Sequence, residues 1–102
     1  MIKTIEILIT SGPIDLYNAQ ILPTKKIVYL NNHKYEVDDD YMNKILDVIC
    51  LWKEEYGYDN KIDTEEFNIT IITSNSKNTI HGKGYYPSNY KMLKDMLEEI
   101  YD

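Results

Sequence analysis

The residues of this sequence able to make or break bonds are few and scattered. His33, Cys50 and His81 are its soft metal-ligand and nucleophile candidates. They show none of the paired spacings from which zinc sites are built. Cys50 falls inside an expected helix and His33 in an expected turn, so no cysteine–histidine nucleophilic pair is legible. Two carboxylate runs, Asp38-Asp39-Asp40 and the stretch from Asp59 to Glu66, could attract a hard cation. Neither has the alternating ligands and central glycine of a calcium loop. Helix capping accounts for the first run and a solvated loop for the second. Gly82-Lys83-Gly84 is a fragment of a glycine-rich loop. Phosphate loops need further glycines, or Lys-Ser/Thr, leading straight into a helix. Here Tyr85, Tyr86 and Pro87 intervene, and the glycines read as a bulge or strand end. No acid–base or nucleophile constellation is visible, which points away from an enzyme and from any metal or cofactor.

What remains is surface chemistry, and it is acidic. The chain carries 17 acids against 11 basic residues, all of them lysine, for a net charge of −6. Residues 36–66 hold eleven acids and three lysines, a net −8, while residues 67–102 hold four of each. A surface of one sign steers oppositely charged partners. Arginine is the usual residue for bidentate phosphate and guanine contacts. Its absence, with the acidic balance, disfavours direct nucleic-acid binding. Ten residues are tyrosine, whose apolar body and polar tip suit half-buried sheets and protein interfaces. Tyr29, Tyr41 and Tyr90 are expected to complete a core. Tyr56, Tyr58, Tyr85 and Tyr86 lie at element ends and are the interface candidates. Together with Asp59, Asp63, Glu65 and Glu66 they form the expected partner-binding set. The partner expected is a protein with a basic surface. As members of a polar loop, these four acids are expected to tolerate replacement by lysine with little effect on folding.

The elements that must position these groups follow from hydrophobic periodicity. Ile5, Ile7 and Ile9 alternate with polar residues and predict a strand over 2–10. Residues 15–22 are compatible with a short edge strand, which leaves the strand count between residues 11 and 25 open. Residues 26–30 and 34–37 flank Asn31-Asn32-His33, a tight-hairpin pattern. The three aspartates then open a helix whose apolar spacing runs from Tyr41 through Trp52 to Tyr56, predicted over 39–56 with Gly57 as its stop. Phe67, Ile69 and Ile71 predict a strand, and 79–85 another. Tyr90, Leu93, Leu97 and Ile100 share one face of a closing helix over 88–101, with Pro87 fitting its first turn. The expected fold is α+β, a single domain over 1–102. Its antiparallel sheet has four or five strands with two helices on one face, in the order β(β)ββαββα. A lone cysteine rules out an internal disulfide and makes the reducing cytoplasm the expected compartment. Glu6 interrupts any signal-peptide centre, and no apolar run approaches a membrane span, so no membrane partner is expected.

The segment from Ile62 to Ile100 carries Asp63-Thr64-Glu65-Glu66-Phe67 before a strand. A polar turn follows, then Gly82-Lys83-Gly84-Tyr85-Tyr86-Pro87-Ser88-Asn89-Tyr90 and a closing helix. This pattern resembles a widespread kind of small protein from low-GC Gram-positive bacteria and their phages. Relatives usually carry Asp-Gly-x-x-Trp where this chain has Thr64 and Phe67, whereas Asn89 followed by Tyr90 fits well. The resemblance implies a fold and a source rather than an activity. The function expected is that of a non-enzymatic acidic protein-binding module. Its sharpest form is a phage or mobile-element inhibitor of a host nucleic-acid-binding defence protein. Carboxylates would then stand in for phosphates, as in DNA-mimicking anti-CRISPR proteins. An immunity protein against a basic toxin would use the same physics. An accessory domain is the remaining alternative.

Overall fold

Alternating isoleucines at 5, 7 and 9 make the first strand the spine of the fold. The computed structural model describes residues 1–53, 55–61 and 64–100. Strand β1 (Ile2–Ser11) turns through Gly12-Pro13 into β2 (Ile14–Leu22). A single 3-10 turn, Pro23–Lys25, leads to β3 (Ile27–Leu30) and β4 (His33–Glu36). Helix α1 (Asp39–Cys50) follows, then β5 (Glu55–Tyr58), β6 (Glu65–Thr73), β7 (Lys77–Lys83) and helix α2 (Tyr90–Glu99). The seven strands form one sheet in the order β4-β3-β2-β1-β6-β7-β5. Neighbours are antiparallel except β5, which lies parallel to β7.

One face of the sheet is apolar and carries both helices. Ile5, Ile7 and Ile9 lie beside Ala19 and Ile21 of β2, Val28 and Leu30 of β3, and Phe67 and Ile69 of β6, all buried. Against them pack Met42, Ile45, Val48 and Ile49 of α1 and Tyr90, Leu93, Met96 and Leu97 of α2. The opposite face is polar, because side chains alternate across a strand. Asn18, Leu8, Asn68 and His81 stand side by side across four strands there. With Leu8, Asn18 and Asn68, the residues Glu6, Gln20 and Thr70 line an open hollow of about 440 Å³. No helix among the described residues is long and apolar enough to cross a membrane.

The α+β class, the two helices and the Asn31-Asn32 hairpin match the sequence reading. Both asparagines have positive φ, +49° and +72°, as a two-residue hairpin of right-handed twist requires. The expected four or five antiparallel strands are corrected to seven in a mixed sheet, for two reasons. Residues 14–22 form a nine-residue interior strand rather than a short edge. Residues 55–58, read as the tail of the first helix and its stop, form the edge strand β5. Helix α1 ends at Cys50 because Trp52 leaves the helical path. Its ring meets Phe67 edge-on at 5.7 Å, and its Nε1 donates to Asn89 Oδ1. Helix α2 begins two residues later than predicted, since Asn89 serves Trp52 and residues 87–90 form a turn closed by Tyr90 N–H to Pro87 O. Tyr101, the predicted end of that helix, lies outside the described residues. Tyr29 is corrected from core to open face, opposite Gln20 and Lys34.

Candidate functional site

The β5–β7 edge gathers most of the residues that the sequence marks as partner contacts. Gly57 in β5 has φ of +111°, a conformation that L side chains avoid. The irregularity it creates sends Tyr56 and Tyr58 to opposite faces, although they are two positions apart. Tyr56 packs inward, 6.0 Å from Phe67. Tyr58 lies on the open face, stacked on His81 at 6.3 Å with Lys83 Nζ 5.2 Å from its ring. Tyr85 covers Gly57 so closely that a Cβ there would lie 2.8 Å from its ring. Tyr86 stacks on Tyr90 at 4.6 Å, and its hydroxyl donates to the Glu65 carbonyl. Tyr58 and Tyr85, 57% and 56% exposed, therefore offer the most contact area, whereas Tyr56 and Tyr86 are held by packing.

The acids of this region are less available than expected. Glu65 and Glu66 are strand residues rather than loop residues. Both carboxylate oxygens of Glu65 receive Lys94 Nζ, at 3.0 and 3.1 Å, and one also accepts the Tyr90 hydroxyl. Glu66 meets the His81 ring nitrogen at 2.7 Å on the open face. Asp59 is pinned by its own backbone N–H to Lys83 O, and its Oδ1 accepts the Lys61 N–H. Asp63 lies outside the described residues. The expectation that all four could become lysine with little effect is thus corrected at Glu65 and Glu66, which have partners in the fold.

A second acidic surface extends the Asp38–Asp40 run beyond what the sequence reading contained. Helices α1 and α2 run antiparallel: Trp52, after α1, meets Asn89 before α2, and the Tyr41 hydroxyl donates to Met96 O at 2.8 Å. This arrangement brings Asp38 and Asp40 to the end of α2 that carries Glu99. Tyr35, Glu36, Asp38, Tyr41, Glu99 and Ile100 line a hollow there of about 240 Å³. A neighbouring hollow adds Asp40 and Lys44. Asp38 caps α1 by accepting the Tyr41 N–H at 2.8 Å, and Asp39 pairs with Lys26 at 3.1 Å. Glu98 accepts the Tyr17 hydroxyl. Burial, and secondarily the charge of Glu99, push the Tyr41 hydroxyl well above the ordinary tyrosine pKa. The acids of α2 are hidden in a charge count because four lysines between 67 and 102 cancel them. Only the antiparallel packing reveals that Glu99 joins the first acidic run.

The chemically capable residues stay apart. His33 begins β4 and His81 lies in β7, at positions five strands distant in the sheet order, a separation of about 24 Å at sheet spacing. Cys50 is exposed at the end of α1, and its thiol pKa is pushed up by partial burial and by Asp47. That is the opposite of an activated nucleophile. Among the described residues no group of three His, Cys, Asp or Glu side chains is arranged to hold a metal ion. Comparison with protein-family models, with curated proteins and with solved structures finds no match to this chain.

Proposed function

We propose that this chain is a non-enzymatic binding module for a protein partner with a basic surface. Its contact charge is the acidic end of the helical layer, with Asp40 and Glu99 as the principal carboxylates. The observation that carries this reading is the antiparallel pairing of α1 and α2, which gathers Asp38 and Asp40 beside Glu99 at one end. On β6, Glu65 is instead matched by Lys94, and Glu66 is held by a hydrogen bond with His81. A like-charged patch raises the encounter rate with an oppositely charged surface and loses that advantage as salt screens it. Tyr58, Tyr85 and Tyr86 keep a proposed contact role, with Tyr86 the least exposed of the three, and Tyr56 does not. The narrower form is a phage or mobile-element inhibitor whose carboxylates occupy a channel built for phosphates. The net charge of −6 without arginine is compatible with it.

The test is partner capture from host lysate, followed by association kinetics against salt. The comparison is wild type with the double variant Asp40→Asn, Glu99→Gln. Asp38 is left in place because it caps α1. The variant should associate about tenfold more slowly at low salt and show a flatter salt dependence. A folded variant that associates at the wild-type rate removes the basis of the proposal.

A further inference from the structure

Strand β4 ends the sheet on one side, and its backbone geometry suits one particular neighbour. The Asn31-Asn32 turn closes a two-residue hairpin, so the flanking pair Leu30 and His33 exchanges backbone hydrogen bonds. Such pairs then alternate along the antiparallel ladder. His33 and Tyr35 therefore direct their N–H and C=O groups toward β3. Val37 continues the alternation, its N–H reaching Lys26 O at 2.9 Å. Lys34 and Glu36 direct theirs away from β3, to the open edge. Their side chains both lie on the polar face, where Lys34 stands opposite Tyr29 and Glu36 opposite Ile27.

We propose that β4 pairs antiparallel with β4 of a second copy, about a two-fold axis at Tyr35. Hydrogen-bonded pairs across the seam must join residues whose amides face outward, which here are Lys34 and Glu36. A two-fold centred on Lys34 or on Glu36 sets like charges directly opposite each other, which is destabilising. Centred on Tyr35, it sets Lys34 of each copy opposite Glu36 of the other, with four backbone hydrogen bonds across the seam. Short, charged edge strands usually resist pairing. This one is charged so that its own copy is the complementary strand, as a symmetric interface requires. The paired sheets form one continuous surface through strand addition. The rail is only about 13 Å long, so the dimer is weak and reversible.

Sedimentation equilibrium from low micromolar to about 1 mM protein tests the pairing. The expected result is a concentration-dependent dimer. Lys34→Glu should weaken it about tenfold, and the double exchange Lys34→Glu with Glu36→Lys should restore it, because opposite charges face each other again. Lys34→Pro removes one outward N–H without touching the bonds to β3 and should abolish the dimer, with circular dichroism confirming the fold. A monomer at every concentration overturns the proposal. So does a dimer unaffected by Lys34→Glu, or one that the double exchange does not restore. Amide shifts at Lys34 and Glu36 on adding an extended basic peptide to a monomeric protein would assign the edge to a foreign strand instead.

Discussion

On β6, the carboxylate of Glu65 receives Lys94 through both oxygens and the hydroxyl of Tyr90 through one. The Glu65 side chain is 20% exposed and that of Lys94 30%, so loss of one partner strands groups that water reaches poorly. Glu65→Ala should therefore lower stability by about 2 kcal/mol, against less than about 1 kcal/mol for Asp59→Ala, in urea melts of both variants. The same cluster sets an alkaline limit. Burial first, and then the hydrogen bond to Glu65, hold the Tyr90 hydroxyl well above the ordinary tyrosine value; Tyr41 is raised in the same direction. A group whose folded pKa exceeds its unfolded pKa keeps more protons when folded. Its contribution is full below the unfolded value of about 10 and is lost as pH rises beyond it. Urea midpoints should be insensitive to these tyrosines up to about pH 10 and then fall. Tyr90→Phe should flatten that fall relative to its own neutral-pH stability. None of this was legible in the sequence. Glu65 and Lys94 are 29 positions apart, and nothing in local spacing separates a paired strand carboxylate from a loop one.

Elements with strong periodicity were legible, and elements made by tertiary contact were not. The isoleucine alternation of β1 and the Asp38 cap of α1 appear where residue pattern puts them. The C-terminal boundary of α1 does not, because Tyr56 and Trp52 continue a helical spacing while their rings are claimed by Phe67. Strand β5 exists through its parallel pairing with β7, a contact that no local pattern announces. Gly82 shows how tightly this corner is built. A Cβ there would lie 2.6 Å from the Phe67 ring and 2.7 Å from the backbone oxygen of Tyr85. The backbone oxygen cannot rotate aside as a side chain can. Gly82→Ala should therefore cost about 1–3 kcal/mol, read as a shift of the urea midpoint at unchanged slope. Glycine at this position had been readable only as a strand end or bulge; its close approach to Phe67 is a property of the packed sheet.

At the scale of the whole molecule, the two-layer architecture was foreseeable from one apolar face per element, and the acidic end of the helices was not. Charge counted along the chain puts the surplus in residues 36–66. Folded, that surplus is divided between a sheet region where Lys94 absorbs part of it and a helix end where Glu99 adds to it. The sheet order holds one more consequence. Strand β1 is flanked by β2, its neighbour in sequence, and by β6, whose Ile71 lies opposite Ile5. While the chain is synthesised, β1 to β4 and α1 emerge before β6 exists. During that interval the isoleucine-rich strand at the middle of the final sheet is an open edge, and closing it spans more than fifty residues of chain. Loop-closure entropy makes such a contact slow to form, and an unpaired apolar edge is a template for association with other chains. The nascent protein is therefore most exposed to aggregation after β1 to β4 have emerged, and the arrival of β6 ends that interval.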